Sequence, residues 1–209
     1  MKDKIAEILL ELEAVKLSTE PPFKWTSGIL SPIYTDNRVL MSFPKQREIV
    51  IDAFIKLIKK NRIEFDGVAG TATAGIPWAA WIAQKLDRPM IFVRKKSKEH
   101  GMQNLVEGVI EKGKNYLVVE DLVSTGGSSI NTINGVRQQE GVVTDCLSIF
   151  TYELESAKNN FELASVKLSE LTNFTSLVNK AKQENHISEE QLNNILQWKD
   201  DPEIWGRNI

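Results

Sequence analysis

The part of the chain best suited to chemistry is a twelve-residue run, Val-Val-Glu-Asp-Leu-Val-Ser-Thr-Gly-Gly-Ser-Ser, at positions 118–129. An apolar stretch typical of a buried strand ends in Glu120 and Asp121, and small and hydroxyl residues then lead into a helix. Such a loop suits an anion, because glycines allow close backbone approach and the first N–H groups of a helix favour negative charge. Ser124 and Thr125 can donate further hydrogen bonds. The run therefore predicts a phosphate site beside two carboxylates.

A simpler interpretation is that Ser128 or Ser129 only caps the helix. No lysine follows the glycines, as a P-loop requires, and the run lacks the Gly-x-Gly-x-x-Gly pattern of dinucleotide sites. Glu120 and Asp121 favour a ligand, since they would lie one sugar's width from a phosphate held by the loop. The hydroxyl groups of a ribose 5-phosphate could then bond to the carboxylates while its phosphate binds the loop.

A second candidate is the basic run Arg-Lys-Lys-Ser-Lys-Glu-His-Gly at positions 94–101. It carries four Lys or Arg and one Glu, a local charge of +3 in a chain whose formal net charge is −2. A charge run is usually a solvated surface, but this one follows a predicted strand and leads into Gly101 and Gly108, as a closing lid would. Cations on such a lid would stabilise the charge of a departing pyrophosphate. The run therefore predicts a lid over the phosphate site.

Alternating helix and strand patterns must position these segments. Amphipathic spacing predicts a first helix over 3–15 and a second from Pro44 to about Lys60, with a turn-rich segment over 21–37 between them. Further on, the patterns predict strands over 65–69, 90–93, 116–120, 142–150 and 164–168, helices over 76–86 and 128–139, and two C-terminal helices, the second with a capping box of Ser188 and Gln191. This alternation predicts an α/β fold, a mainly parallel sheet flanked by helices.

The run around Glu120 and Asp121 closely resembles the signature with which type I phosphoribosyltransferases bind phosphoribosyl pyrophosphate (PRPP). The basic run resembles the lid of the orotate phosphoribosyltransferase family, with the pattern Arg-Lys-x-x-Lys-x-His-Gly. The resemblance implies the type I phosphoribosyltransferase fold with an N-terminal hood and C-terminal helices. It implies catalytic roles for Lys98, His100, Glu120 and Asp121. The PRPP-binding residues that it implies are Arg94, Lys95, Lys98, His100, Glu120, Asp121, Leu122, Val123, Ser124, Thr125, Gly126, Gly127 and Ser128.

Two other stretches are similar to parts of the same family. The run Gly-Thr-Ala-Thr-Ala-Gly-Ile-Pro at 70–77 is similar to its pyrophosphate loop, and segment 23–38 is similar to the hood that closes over orotate. Some members carry a lysine where this chain has Thr26 or Ala74, and the chain has no arginine near Thr151. The residue that binds the orotate carboxylate therefore stays open, and Lys24 and Arg38 are candidates by proximity only. The similarity implies pyrophosphate-loop roles for Thr71, Ala72, Thr73, Ala74 and Gly75, and orotate-binding roles for Thr26, Ser27, Tyr34 and Ser124.

The resemblance implies transfer of the phosphoribosyl group from PRPP to orotate, giving orotidine 5′-monophosphate and pyrophosphate in pyrimidine biosynthesis. Mg²⁺ is the expected cofactor, held mainly by substrate oxygens and not by side chains alone. A second copy of the chain is the expected protein partner, in a homodimer that shares the lid across its interface. The alternatives are a transferase for uracil or a purine base, a PRPP-sensing regulator without turnover, and a structural or interaction protein.

Length and composition agree with one enzyme domain. The 209 residues predict a single phosphoribosyltransferase domain, with helix and hood over about 1–40, a PRPP-binding core over about 62–151, and a C-terminal strand and helices over about 152–209. The balance of 26 Lys and Arg against 28 Asp and Glu predicts no binding to nucleic acid or membrane. The lone Cys146 excludes an internal disulfide, and the N-terminal sequence shows no secretory pattern, so we expect a cytoplasmic protein.

The remaining conspicuous residues predict structure and no chemistry. Trp78 and Trp81 lie about one helical turn apart, which predicts a place in the core or in a subunit interface. Cys146 falls in a predicted strand and is expected to be buried. The C-terminal tail, with Trp198 and Trp205, shows no chemical constellation.

Overall fold

A computed structural model describes residues 1–25, 28–95 and 105–205, and strands alternate with helices along most of that length. In chain order the elements are α1 (Lys2–Glu11), β1 (Val15–Leu17), β2 (Phe23–Lys24), β3 (Leu30–Ser31), β4 (Ile33–Thr35), a 3₁₀ helix (Asn37–Ser42), α2 (Pro44–Asn61), β5 (Gly67–Thr71), α3 (Gly75–Leu86), β6 (Met90–Val93), β7 (Val106–Glu107), β8 (Tyr116–Val123), α4 (Gly127–Gln138), β9 (Asp145–Thr151), α5 (Glu155–Leu163), β10 (Lys167–Asn173), α6 (Phe174–Gln183), α7 (Glu189–Asp200) and α8 (Pro202–Trp205).

The centre of the molecule is a six-stranded sheet in the order β10-β9-β8-β5-β6-β7. Neighbouring strands are parallel except for the antiparallel pair of β6 and β7. The chain leaves β5 toward β6 on one side and returns to β8 on the other, so the strand order reverses between β5 and β8. Ligands in open α/β sheets bind at such a switch point, beyond the carboxyl ends of the strands. The predicted α/β fold with a mainly parallel sheet is confirmed.

Helices cover both faces of the sheet, which explains why its central strands are almost wholly apolar. One face is packed by α1, α2, α3 and α6 with side chains such as Phe54 and Trp78, and the other by α4 and α5 with Ile133 and Phe161. Trp78 and Cys146 are fully buried, so both residues have the structural role that their positions predicted.

The C-terminal third differs from the sequence-based expectation. The strand predicted over 164–168 begins only at Lys167 and runs to Asn173, and α5, which precedes it, was not predicted. The two predicted C-terminal helices are present as α6 and α7, and α7 begins with the predicted capping box of Ser188 and Gln191, but α5 and the short α8 were not predicted. The reason is composition: α5 buries only Ala157 and Phe161, too few apolar residues to mark a helix.

The hood consists of two small antiparallel pairings, β1 with β4 and β2 with β3. The C-terminal helices hold it in place: Trp198 of α7 donates its indole N–H to the Leu30 carbonyl oxygen at 3.0 Å. Trp198 also packs edge-on to Trp25, with ring centroids 5.4 Å apart, and close to Tyr152. The hood and the tail therefore form one wall above the sheet. None of the helices in the described ranges combines the length and apolarity needed to cross a bilayer.

Candidate active site

The predicted phosphate site is a tight turn between β8 and α4, which we call the phosphate loop (residues 124–129). Gly126 has φ +85°, and its carbonyl oxygen accepts the first helical hydrogen bond of α4 from Ile130 at 2.9 Å. The N–H groups of the first helical turn have no acceptor within the helix and are free to meet an anion. A cavity of about 300 Å³, the loop cavity, is lined by Leu122 and by all six residues of the loop.

Helix α5 supports this loop from below. A side chain at Gly126 would place its Cβ 3.1 Å from the Phe161 ring, so the loop packs tightly against α5. Asn160 of the same helix donates its side-chain N–H to the Thr125 carbonyl oxygen at 2.9 Å. The loop is thus preorganised by a helix that lies further along the chain, beyond β9.

The two acids lie within β8 and not at its end, because the strand continues to Val123. Both are buried, Glu120 at 5% and Asp121 at 8% exposure. The Asp121 N–H donates to a Glu120 carboxylate oxygen at 3.2 Å, and the Ser129 hydroxyl donates to the other at 3.5 Å. Asn37, at the start of the 3₁₀ helix that follows the hood, donates to the Asp121 carbonyl oxygen at 2.7 Å. The carboxylates are therefore held between the sheet, α4 and the segment that follows the hood.

Burial controls the ionisation of both acids. Desolvation, reinforced by the charge of Asp121, raises the pKa of Glu120 well above its ordinary value. Desolvation also raises the pKa of Asp121, against smaller opposing effects of hydrogen bonds, first that with the Glu120 side chain, and of the Arg38 guanidinium. Burying two acids with so few hydrogen-bond donors around them lowers the stability of the folded chain. Such pairs are typical of sites where a ligand supplies the missing partners.

The predicted pyrophosphate loop joins β5 to α3, and it lies beside Asp121. Gly75 begins α3 against the Val119 carbonyl group, where any Cβ would clash. The peptide bond between Ala72 and Thr73 is cis. The Thr71 hydroxyl is buried and has no hydrogen-bond partner in the described ranges.

A second cavity of about 590 Å³, the side cavity, is where this loop meets the hood and the acids. Arg38 lines it and forms a two-point ion pair with Asp36, at 2.6 and 2.8 Å. The Arg38 guanidinium lowers the pKa of the Asp36 carboxyl group. Arg38, whose place in the sequence made it a candidate for the orotate carboxylate, thus lies on the pyrophosphate-loop side. The lining residues are Thr35, Asp36, Arg38, Met41, Thr73, Ala74, Pro77, Asp121 and Leu122.

The largest of these three cavities, about 790 Å³, lies under the hood, and we call it the hood cavity. Tyr34 and Ser124, two of the predicted orotate-binding residues, both line it. Leu122 lines all three cavities, so they are immediate neighbours around this residue. The other predicted pair, Thr26 and Ser27, lies outside the described residues.

The sequence analysis missed the far wall of the hood cavity. The tail was expected to carry no chemical constellation, yet Lys199, Asp200, Pro202 and Glu203 line this cavity together with Tyr152, which directly follows β9. Nothing in the local sequence places them there, because α7 reaches the cavity through long-range packing, such as that of Trp198 on the hood. The one available signal was the amphipathic C-terminal helix that contains Trp198 and is followed by Trp205.

The structure describes only the start of the predicted lid. The Arg94 N–H donates to the Leu105 carbonyl oxygen at 2.8 Å, and its guanidinium lies 3.6 Å from a carboxylate oxygen of Glu107. Lys95 follows it and is exposed. Lys98 and His100 lie outside the described residues, so their predicted roles remain predictions.

Comparison with known proteins identifies the family of the chain. The sequence model of the phosphoribosyl transferase domain matches residues 43–146. Orotate phosphoribosyltransferase of Coxiella burnetii is 50% identical over 202 residues, 97% of either chain, and that of Listeria innocua is 44% identical over 99% of either chain. The crystal structure of orotate phosphoribosyltransferase from Aeropyrum pernix superimposes with a TM-score of 0.76 at 27% identity, covering 86% of this chain and 98% of that one. With the phosphate loop, the acid pair and the hood in the positions described, the chain belongs to the orotate phosphoribosyltransferase family.

Proposed function

We propose that this chain carries out the reaction of its family in a single continuous cleft, with each cavity taking one part of the substrates. The observation that carries the proposal is the meeting of three cavities at Leu122, directly beside two buried acids. The 5′-phosphate of PRPP would bind in the loop cavity, its pyrophosphate in the side cavity, and orotate in the hood cavity. The ribose, to which all three groups are joined in the reaction, would then lie over Glu120 and Asp121.

The phosphate loop supplies the anchor for the sugar. Its free N–H groups and hydroxyls donate to the phosphate, and the dipole of the twelve-residue α4 favours that charge. Once its phosphate is bound, the ribose can take few other positions. The binding energy of the phosphate thus helps to orient C1′ toward orotate N1.

Transfer breaks the bond between C1′ and the pyrophosphate oxygen and forms the bond between C1′ and orotate N1. Positive charge develops on the ribose as the first bond lengthens, and Glu120 and Asp121 lie where ionised carboxylates would stabilise it. Bound hydroxyl groups and nearby cations favour ionisation of the acids, whose pKa values burial has raised. The lid residues Lys98 and His100 would meet the departing pyrophosphate, and lid closure would exclude water.

Mg²⁺ is the proposed cofactor, and the residues of the cleft fit it. No group of three or more His, Cys, Asp or Glu side chains arranged for a metal occurs in the described parts of the chain. Mg²⁺ is commonly held by one or two carboxylates together with substrate phosphates, and Asp121 at the side cavity offers such an oxygen donor. When bound, the ion would neutralise charge on the pyrophosphate.

We further propose a homodimer that shares the lid between subunits, in the cytoplasm. The lid pattern and the family support the shared lid. The fully buried and unpaired Cys146 is consistent with a reducing compartment. Size-exclusion chromatography with light scattering tests the dimer, and mixing Lys98→Ala subunits with phosphate-loop variants tests lid sharing: activity recovered on mixing supports it, and no recovery contradicts it.

The reaction is tested by following the absorbance of orotate with PRPP and Mg²⁺. Parallel assays replace orotate with uracil, adenine or hypoxanthine. We expect turnover of orotate, dependence on Mg²⁺, and formation of pyrophosphate in equal amount. Turnover of another base in place of orotate would overturn the substrate assignment, and full activity in the presence of a chelator would overturn the role of the metal.

A further inference from the structure

The hood cavity contains two cations among its described lining residues, Lys24 of β2 and Lys199 of α7. We infer that Lys199 is the residue that recognises the carboxylate of orotate, an inference that rests on the proposed orotate site. Orotate differs from uracil by this carboxylate, so the residue that binds it decides which pyrimidine the enzyme accepts. The lysines and arginine that serve some family members are absent from the corresponding positions of this chain, Thr26 and Ala74 among them.

The Lys199 ammonium group is held in place before any ligand binds. Its Nζ donates to the Thr175 hydroxyl oxygen at 3.1 Å. The Thr175 hydroxyl in turn donates to Glu153, which also accepts the Thr175 backbone N–H at 2.8 Å. An ammonium group has three N–H donors, so two remain for a ligand after the bond to Thr175. Lys199, which lines the hood cavity, is therefore a preorganised cation.

Burial strengthens this donor. The Lys199 side chain is 28% exposed, and its Nζ lies 3.9 Å from a Glu153 carboxylate oxygen. Glu153 already accepts two hydrogen bonds from Thr175. Its ion pair with Lys199 is therefore a long one, beyond hydrogen-bond distance. A ligand carboxylate can approach the ammonium group more closely than Glu153 does, and charge-assisted hydrogen bonds in a partly buried site are the strong ones.

The other charges around the cavity make such a cation necessary. Glu155, Asp200 and Glu203 also line the hood cavity and would repel an anionic base. Lys24 lies on a two-residue strand and is exposed, without an ion-pair partner in the described ranges, so it must be immobilised when a ligand binds. Arg38 is committed to Asp36 and lines the side cavity. Of Lys24, Arg38 and Lys199, only Lys199 is both held by a hydrogen bond in the described chain and part of the lining of the hood cavity.

The test removes the cation and the carboxylate separately. Lys199→Met keeps the length of the side chain without its charge, and uracil keeps the pyrimidine ring without the carboxylate. We expect Lys199→Met to raise the KM for orotate about 10- to 100-fold, the range typical of a lost charge-assisted hydrogen bond. The KM for PRPP and the inhibition constant of uracil should stay within about twofold of wild type, because neither depends on the carboxylate.

Lys24→Met is the matched control, since it removes the other cation of the same cavity. We expect it to change the KM for orotate less than about fivefold. If Lys24→Met carries the large loss and Lys199→Met does not, or if Lys199→Met weakens uracil as much as orotate, the inference is overturned. Failure of wild-type enzyme to consume orotate would instead refute the proposed function, so the two failures are distinguishable.

Thr175 is a positioning residue in this scheme, and it gives a second test that leaves the charge intact. Thr175→Val removes the hydroxyl that Lys199 and Glu153 share, whereas Thr175→Ser keeps it. We expect Thr175→Val to raise the KM for orotate several-fold with kcat nearly unchanged, and Thr175→Ser to behave like wild type. Equal behaviour of the two variants toward orotate would contradict the role of the hydroxyl in holding Lys199.

Discussion

The phosphate loop and the hood cavity lie side by side, but they are built in opposite ways. The loop and its two acids come from residues 118–129, a single strand-turn-helix unit. The hood cavity shares Leu122, Ser124 and Thr125 with that unit, but its other walls come from β2, β4, the segment after β9, and the helices α5, α7 and α8, which span nearly the whole chain. The contiguous unit depends on backbone conformation, and the assembled cavity depends on long-range packing. Variants in the two regions should therefore change different kinetic constants: the KM for PRPP in the loop and the KM for orotate in the hood cavity.

The largest effect is expected from the lid, which belongs to neither region. Lys98→Ala should lower kcat by about 10²- to 10³-fold, because a cation aimed at the departing pyrophosphate acts mainly in the transition state. Steady-state kinetics with thermal unfolding as a fold control measures this. Lys96→Ala is the matched control, since Lys96 falls at an open position of the lid pattern. Similar kcat values for the two variants would remove Lys98 from the mechanism.

A change in the phosphate loop should act through backbone conformation. Gly126→Ala forces a side chain into φ +85°, which costs about 1–2 kcal/mol, and the new Cβ meets Phe161. If the loop shifts to relieve this strain, the KM for PRPP should rise about tenfold. Gly113→Ala is the control: its φ is +75°, but a Cβ there meets nothing within 4 Å, and it lies outside the cleft. Both variants should lose stability through the strained φ, and Gly126→Ala should lose more because its Cβ also meets Phe161; a change in the KM for PRPP is expected only at Gly126.

A change in the wall of the hood cavity should act through packing. Trp198→Phe leaves the Leu30 carbonyl oxygen without its donor, at a cost of about 1–3 kcal/mol, and loosens the hood. Trp78→Phe removes the same atoms from another fully buried tryptophan, whose indole N–H has no partner in the described chain. Urea unfolding should show the larger loss for Trp198→Phe, and only that variant should raise the KM for orotate. If Trp198→Phe raised the KM for PRPP and left the KM for orotate unchanged, the functional separation of the phosphate loop from the hood cavity would be contradicted.

The smallest effect concerns the pH dependence of folding. Because burial raises the pKa of Glu120 well above 4.5, the folded chain binds this proton more tightly than the unfolded chain. Stability from this group is therefore present at low pH and is lost as pH rises above about 4.5 through the raised pKa. Glu120→Gln cannot ionise, so its melting temperature should exceed that of wild type by a few degrees at about pH 8 and match it near pH 4.

Glu184→Gln provides the opposite sign as a control. The Lys180 ammonium group lowers the pKa of Glu184, so its stabilising contribution is present above the ordinary value of 4.5 and is lost as pH falls through the lowered pKa. We expect Glu184→Gln to lower the melting temperature slightly at about pH 8. If Glu120→Gln also lowers the melting temperature at that pH, burial is not what perturbs Glu120.

The elements that were predicted best are those in which local pattern and tertiary environment agree. The strands around Val68, Ile91 and Val118 are short apolar runs that the sheet buries on both faces, so their composition alone marks them. Strand β10 contains Lys167, Ser169 and Glu170 at its edge position, and α5 buries few apolar residues, so one was misplaced and the other missed. The fold was thus predictable where burial is complete and was not where elements lie at the edge.

The sequence by itself identified the phosphate loop and the acid pair, because their glycines, hydroxyls and carboxylates are neighbours in one short run of the chain. It also determined that the sheet is mainly parallel, through the alternation of apolar strands with helices. Only the tertiary structure decided that Lys199 and Tyr152 face the same cavity as Tyr34, and that α5 supports the loop. The physical reason is range: hydrogen bonds within a turn follow from residues next to each other in the chain, whereas a cavity wall follows from how separate elements pack.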